Sequence, residues 1–272
     1  MKFPLSAITI LVISTALLKA QNKTASPEQD KPLLAAPIRI SLLAVGDPPQ
    51  PHFDVTTEKR TLQETPASDY PPSKVFLRDR SEKEKAFKEV SLGLNAATGY
   101  VVYKGESTLN LYRGETGDEK GLYASLPIPE LHADMTIMLT RNTSKKSWET
   151  DPKARFFDNS LTSFPQDSAR YVNLSSVPIR VVNGKDPVFE IAPGGFRVVP
   201  LQRSEQGILA YRIAAAVDAK IFPIADTATT YTPDTRINLV AYNADGENKT
   251  QPVKVIRFFE RPPQVAEKKE KE

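Results

Sequence analysis

Short apolar–polar alternations, each stopped by proline or glycine, constrain this chain more than any other feature. Ile38, Ile40, Leu42 and Ala44 alternate with Arg39 and Ser41 before Gly46-Asp47-Pro48-Pro49. Met135, Ile137 and Leu139 alternate in the same way with Thr136, Met138 and Thr140. Period-two patterning bounded by turn residues predicts half-buried antiparallel strands. Similar runs occupy residues 99–105, 108–112, 171–174, 179–182, 188–191, 196–199, 209–217, 220–224, 236–242 and 253–259. Ala86, Val90 and Leu92 share a strand face that Lys88 interrupts. Residues 81–90 also carry a capping serine and good helix formers, but a loop entering a strand fits the β-rich surroundings better. Ala214-Ala215-Ala216 is read as strand for the same reason.

Turn chemistry sharpens the picture. Asn183-Gly184 is the clearest hairpin signal, a candidate two-residue type I′ turn joining residues 179–182 to 188–191. Pro193-Gly194 supplies a fixed φ followed by a residue tolerant of positive φ. Asn173 and Ser175 are placed to hydrogen-bond nearby backbone at a strand end, a structural role. Pro200, Pro223 and Pro252 fall in or beside strands, which assigns those strands to edges or bulges.

Strands at roughly 8–12-residue spacing imply an all-β chain of two tandem β-sandwich (immunoglobulin-like) units. The boundary is expected where Pro127 and Pro129 bracket Ile128, giving units at residues 37–130 and 131–260. Residues 142–166, with the only tryptophan, Trp148, read as a long loop of the second unit. No internal sequence repeat is visible, although one plan used twice is compatible with the layout.

Residues 1–20 have the form of a cleaved secretory signal peptide: Lys2, a mostly apolar stretch over 5–18, and the small residue Ala20 before Gln21. Residues 21–36 read as a linker and 261–272 as a charged disordered tail. No later stretch reaches the roughly 18 apolar residues of a membrane span, so no integral membrane segment is expected after leader cleavage. The expected location is periplasmic or extracellular. Removing Lys2 and Lys19 lowers the net charge from +3 to +1. No basic cluster remains, and nucleic-acid binding is not expected.

Composition closes off much chemistry. The 272 residues contain no cysteine, which excludes disulfides, thiolate metal sites, cysteine-ligated clusters and cysteine nucleophiles. No Gly-x-Ser-x-Gly elbow occurs, and only His52 and His132 are available as imidazole bases. His132 has Glu130 and Asp134 as neighbours and carries a minor reading as the base of a cryptic hydrolase. Residues 243–248 resemble part of a calcium loop, but Ala241 and Pro252 fall at the first and twelfth positions of an EF-hand. Four Asn-x-Ser/Thr triplets, at Asn22, Asn142, Asn173 and Asn248, matter only in a eukaryotic secretory route. No cofactor or metal is expected. Tyr100, Tyr103, Tyr112 and Tyr123 cluster in the first unit and are the candidate ligand-binding residues, since tyrosine faces stack on sugars.

The run Arg170-Tyr171-Val172-Asn173-Leu174-Ser175, followed by Pro178, Gly184 and Phe189-Glu190-Ile191-Ala192-Pro193-Gly194, resembles a group of uncharacterised exported bacterial proteins. The close match covers about residues 169–201, and a looser match in layout covers about 37–260. The resemblance implies a β-sandwich architecture and brings no established activity or catalytic residue. The expectation is therefore a non-enzymatic structural or binding protein of the cell envelope, with a protein or glycan partner. A carbohydrate-binding accessory module using the four tyrosines is the alternative.

Overall fold

The computed structural model describes residues 34–55, 59–78, 87–115, 117, 119–129, 132–142, 147–201, 207–217, 220–245 and 251–262. The expected leader, linker residues 21–33, residues 81–86 of the loop-or-helix segment, and tail residues 263–272 lie outside the described residues. The described chain is all β, with eighteen strands in five sheets; its only helical geometry is two three-residue 3₁₀ turns. The first ten strands are β1 (Ile38–Val45), β2 (His52–Val55), β3 (Arg60–Gln63), β4 (Lys74–Arg78), β5 (Phe87–Ser91), β6 (Val101–Tyr103), β7 (Thr108–Tyr112), β8 (Leu122–Pro127), β9 (Asp134–Thr140) and β10 (Lys153–Asp158). The last eight are β11 (Ser168–Asn173), β12 (Ile179–Asn183), β13 (Phe189–Ile191), β14 (Phe196–Pro200), β15 (Ile208–Val217), β16 (Lys220–Thr230), β17 (Arg236–Asn243) and β18 (Val253–Glu260).

The same plan is used twice. Two sheets have the orders β10-β9-β1-β6 and β5-β4-β7-β8, and two more have the orders β18-β17-β11-β14 and β13-β12-β15-β16. Reading β1 and β4–β10 as β11–β18 converts the first pair into the second strand for strand. The pairing senses match as well: β1 runs parallel to β9, as β11 runs parallel to β17. A register irregularity interrupts β7–β8 at Leu111/Tyr112 and β15–β16 at Ile213/Ala214, the corresponding ladders. Among the described residues the β2–β3 hairpin is the one ladder with no counterpart.

Three apolar clusters follow from this plan. One draws on both sheets of the first set, with Ile40, Leu42, Ile137 and Leu139 from one sheet facing Val75, Leu77, Leu109 and Leu111 from the other. The second does the same for the later set, around Tyr171, Ile179, Ile213 and Leu239. The third consists of Leu43, Val45, Met138, Phe157, Val172, Val240 and Tyr242, which come from β1, β9, β10, β11 and β17. The β1–β9 sheet thus has apolar contacts on both faces, as does the β11–β17 sheet. Each fully buried leucine or valine in them contributes on the order of 2 kcal/mol from area removed from water.

Two expectations are corrected here. Residues 135–139, read as a half-buried antiparallel strand, are β9, antiparallel to β10 but hydrogen-bonded in parallel to β1 from Arg39↔Asp134 to Val45↔Thr140. Both faces are covered, so β9 is buried through Leu139; a strand buried on both faces needs no polar face. The register places Ile40, Leu42 and Ala44 beside Met135, Ile137 and Leu139 on one face, and Leu43 beside Met138 on the other.

Residues 142–166 are not one long loop either, because β10 runs through them as the edge strand next to β9. Trp148 sits 1% exposed in the first core and donates its backbone N–H to Ser68 O at 2.8 Å. Tertiary burial, invisible to local patterning, holds this segment.

The Asn183-Gly184 signal joins the expected strands by a different turn. β12 pairs antiparallel with β13 from Ile179↔Ile191 to Val181↔Phe189. Gly184 has φ +57°, but Asn183 remains in the strand, opposite Tyr211 of β15. Its buried side chain accepts from Tyr171 Oη at 2.8 Å and donates to Asp186 Oδ2 at 2.7 Å, which keeps it out of the left-handed conformation a type I′ turn requires. The proline reading holds: Pro200 ends the edge strand β14, Pro223 lies in the edge strand β16, and Pro252 precedes the edge strand β18.

Candidate functional site

The richest chemistry lies where the β1–β9 sheet meets the β11–β17 sheet. Alternate residues of each strand project into this layer, because successive side chains of a strand point to opposite faces. From β11 come Arg170 and Val172; from β17 come Arg236, Asn238, Val240 and Tyr242. Its middle is apolar and each end is charged.

At one end Glu260, the last residue of β18, is the common acceptor. Its Oε1 receives Arg236 Nη2 and Tyr100 Oη, and Asn159 Nδ2 at 3.1 Å; Asn238 Nδ2 lies 3.4 Å from Oε2. Arg170 Nε donates to Asn238 Oδ1 at 2.8 Å, and Arg236 Nη1 donates to the carbonyls of Asn159 at 2.7 Å and Phe164 at 2.9 Å. Both guanidinium groups lie over the Phe164 ring, with Arg170 at 4.3 Å and Arg236 at 4.8 Å from its centroid. Arg170 Nη2 and Arg236 Nε lack a hydrogen-bond partner among the described residues, and the ring quadrupole stabilises the charges that hydrogen bonds leave exposed to a low dielectric. Burial, reinforced by Arg236 and opposed by Glu260, brings the Arg170 pKa down to about 10. Burial, then the Glu260 charge, pushes the Tyr100 hydroxyl above its ordinary range.

At the other end Asp47, just past β1, is nearly inaccessible. It accepts from Tyr242 Oη at 3.0 Å, Asp245 N at 2.8 Å and Lys254 Nζ at 2.8 Å. Arg141 Nη2 pairs with Asp245 at 2.5 Å. Burial raises the Asp245 pKa, the Arg141 charge opposes that rise, and Asp47 adds to it.

The four candidate tyrosines do not form a stacking platform. Tyr103, Tyr112 and Tyr123 are 2%, 6% and 2% exposed, so their ring faces are spent on packing. Tyr112 meets Phe87 edge-on at 5.7 Å, and Arg113 covers Tyr123 at 5.2 Å. Tyr100 belongs instead to the Glu260 network. The cause is β-propensity: tyrosine in a strand sits on whichever face the pleat assigns it, and that face is inward here.

Asn173 fills the structural role expected of it. Its Nδ2 donates to Val177 O at 2.8 Å and Ile191 O at 2.9 Å, while its Oδ1 accepts Ser175 N at 3.0 Å and Ser175 Oγ at 2.6 Å. Gly194, with φ +74°, donates to Asn173 O at 2.7 Å, and Gly195 N closes the turn on Ala192 O at 2.9 Å. At 0% exposure, the Asn173 side chain is closed to a glycosylating enzyme in the folded chain.

His132 Nδ1 lies 3.3 Å from Asp158 Oδ2. Ser160 and Ser163 donate their hydroxyls to the same carboxylate. Asp134 is turned to Arg39, whose Nη2 donates to it at 2.7 Å, and Glu130 lies outside the described residues. His52 is in β2, its backbone opposite Gln63. Of the calcium-like segment, residues 246–248 lie outside the described residues, and Asp245 is engaged by Arg141. The role of Arg170, Arg236, Asn159 and Glu260 between the two strand sets was missed from the sequence. The signal available was charge in unusual places, an arginine in each of two strongly apolar strands, which marks a partner arriving from elsewhere in the chain.

No protein-family model matches the chain, and no curated protein matches it either.

Proposed function

We propose that the chain is an exported, non-enzymatic structural or binding protein of the cell envelope, built as two tandem β-sandwich units of the immunoglobulin-like kind. The observation carrying this reading is the use to which its reactive groups are put. Asp47, Asp158, Asn173 and Glu260 are each engaged by several internal donors or acceptors that fix turns or tie the two strand sets together. Side chains so committed serve a scaffold that presents its rim and edge strands to a partner. The leader-like residues 1–20 and the resemblance of residues 169–201 to exported bacterial proteins point the same way, to the periplasm or cell exterior. Carbohydrate binding remains the second reading, moved from the buried tyrosines to a cleft described below.

The test combines fractionation with function. The chain is expressed with its own N-terminus in a Gram-negative host, and the purified product is incubated with envelope polymers and with ester, peptide and glycoside substrates. Export and binding without turnover support the reading; retention in the cytoplasm or multiple turnover of any substrate overturns it.

A further inference from the structure

The parallel pairings place the C-terminal ends of β1 and β9, and those of β11 and β17, on a common rim. A cleft of about 500 Å³ opens there, and it is lined by residues that end or follow these strands together with the start of β10. We propose that this cleft binds a sugar-sized unit carrying a carboxylate or phosphate, a proposal that rests on the binding-protein reading above.

Charge is the first argument. The lining contains three cationic side chains, Arg141, Lys153 and Arg155, against one carboxylate, Asp245. Arg141 is committed to that carboxylate at 2.5 Å. Arg155 is exposed and has no ion pair among the described residues, unlike Arg236, which is paired with Glu260. It alternates along β10 with Lys153 on one side and Phe157 on the other, so all three share the face turned toward the second strand set. A planar guanidinium beside a partly apolar wall of Val45 and Leu174 suits bidentate capture of a carboxylate or phosphate.

Shape is the second argument. The Pro193-Gly194 turn reaches the guanidinium: a Cβ on Gly194 would lie 2.9 Å from Arg155 Nη2. The turn is held by Asn173, so the motif singled out in the sequence builds one wall of the cleft and leaves room for the arginine. A volume of this order lies within the roughly 300–1,000 Å³ of small-ligand sites. A concave recess with few cations fits a single anionic unit better than an acidic protein face, which needs roughly 800 Å² of matching surface.

The experiment is calorimetric titration of the purified protein with glucuronate, glucose 6-phosphate, glucose, oligogalacturonate and poly-L-glutamate. The expected result is binding of the anionic sugars and not glucose, weakened by salt. In Arg155→Ala and Gly194→Ala it is weaker by about tenfold or more, the loss of one charge-assisted contact. Arg212→Ala, an exposed arginine paired with Asp226, should bind as wild type. Stronger binding of oligogalacturonate than of glucuronate assigns the site to a polymer; equal binding per unit assigns it to the free sugar acid. No anionic binding at millimolar concentration, equal binding of glucose, preference for poly-L-glutamate, or undiminished binding by Arg155→Ala overturns the proposal. Turnover of a substrate would instead overturn the non-enzymatic reading, so the two failures are distinguishable.

Discussion

Asp47 and Lys254 form an ion pair at 2.8 Å across 207 residues of chain, with the aspartate side chain 2% exposed and the lysine 36% exposed. The asymmetry decides which partner matters more. Lys254 loses little on release because water can reach it, whereas Asp47, nearly inaccessible, accepts from three donors at once. Asp47→Ala, which strands the Tyr242 hydroxyl and the Asp245 amide, should therefore lower stability by about 3 kcal/mol, and Lys254→Met, which leaves both donors on the carboxylate, by about 1–2 kcal/mol. Asp47→Asn, whose single amide oxygen can replace only one of the two carboxylate oxygens that serve Tyr242 and the Asp245 amide, should fall between them. Urea unfolding midpoints check the order, and an Asp47→Ala midpoint equal to that of Lys254→Met would contradict it.

Glu260 neutralises one of two neighbouring buried guanidinium groups. Its removal in Glu260→Ala should cost about 3–5 kcal/mol, because the mutually repelling Arg170 and Arg236 would lose the carboxylate that pairs with Arg236. Glu260→Gln keeps one acceptor oxygen for Arg236, Tyr100 and Asn159, though it turns a donor toward Asn238 Nδ2, and should cost less. Restoring stability by combining Glu260→Ala with Arg170→Met would show that the penalty comes from the stranded cations. Differential scanning calorimetry of the three variants reads this directly.

Asn173 makes two donations and two acceptances with one amide, so an isosteric replacement is no safer than truncation. Asn173→Asp turns carboxylate oxygen toward the carbonyls of Val177 and Ile191, where donors stood. It should destabilise at neutral pH by about 3 kcal/mol, at least as much as Asn173→Ala. Its deficit should narrow in acid as the new carboxyl gains a proton to donate. Equal midpoints for wild type and Asn173→Asp at pH 7 would remove the capping role.

Asp158 supplies a pH signature of opposite origin. Burial works to raise its pKa, but the Ser163 hydroxyl and the Ser160 amide and hydroxyl prevail and hold it below the ordinary value of 3.8. A folded-state pKa below the unfolded one contributes stability that is complete above the ordinary value and is lost as pH falls through the folded value. Asp158→Asn should therefore be less stable than wild type by about 1 kcal/mol at pH 7, with the gap closing below about pH 4. Paired urea melts at pH 7, 5 and 3 check both the sign and the window.

Much of the secondary structure was legible locally. Alternation located β1, β9, β15 and β17, and the Asn173–Gly194 motif announced its own hydrogen bonds because each partner lies within about twenty residues. The candidate site was not legible. Tyrosine spacing in the first strand set could not reveal which face the rings occupy, and three of the four proved to be buried.

The sequence by itself determined that the chain makes β-strands, where prolines confine them to edges, and how the Pro193-Gly194 turn closes. These are short-range consequences of side-chain period, missing N–H groups and allowed φ. Only the tertiary structure decided that β1 and β11 pair in parallel with β9 and β17, that one strand plan is used twice, and that Arg170, Arg236 and Glu260 share a buried cluster. Alternation reports that a side chain faces inward, not what it will meet there. The partner is selected by burial of surface from distant segments, an energy written in no local window.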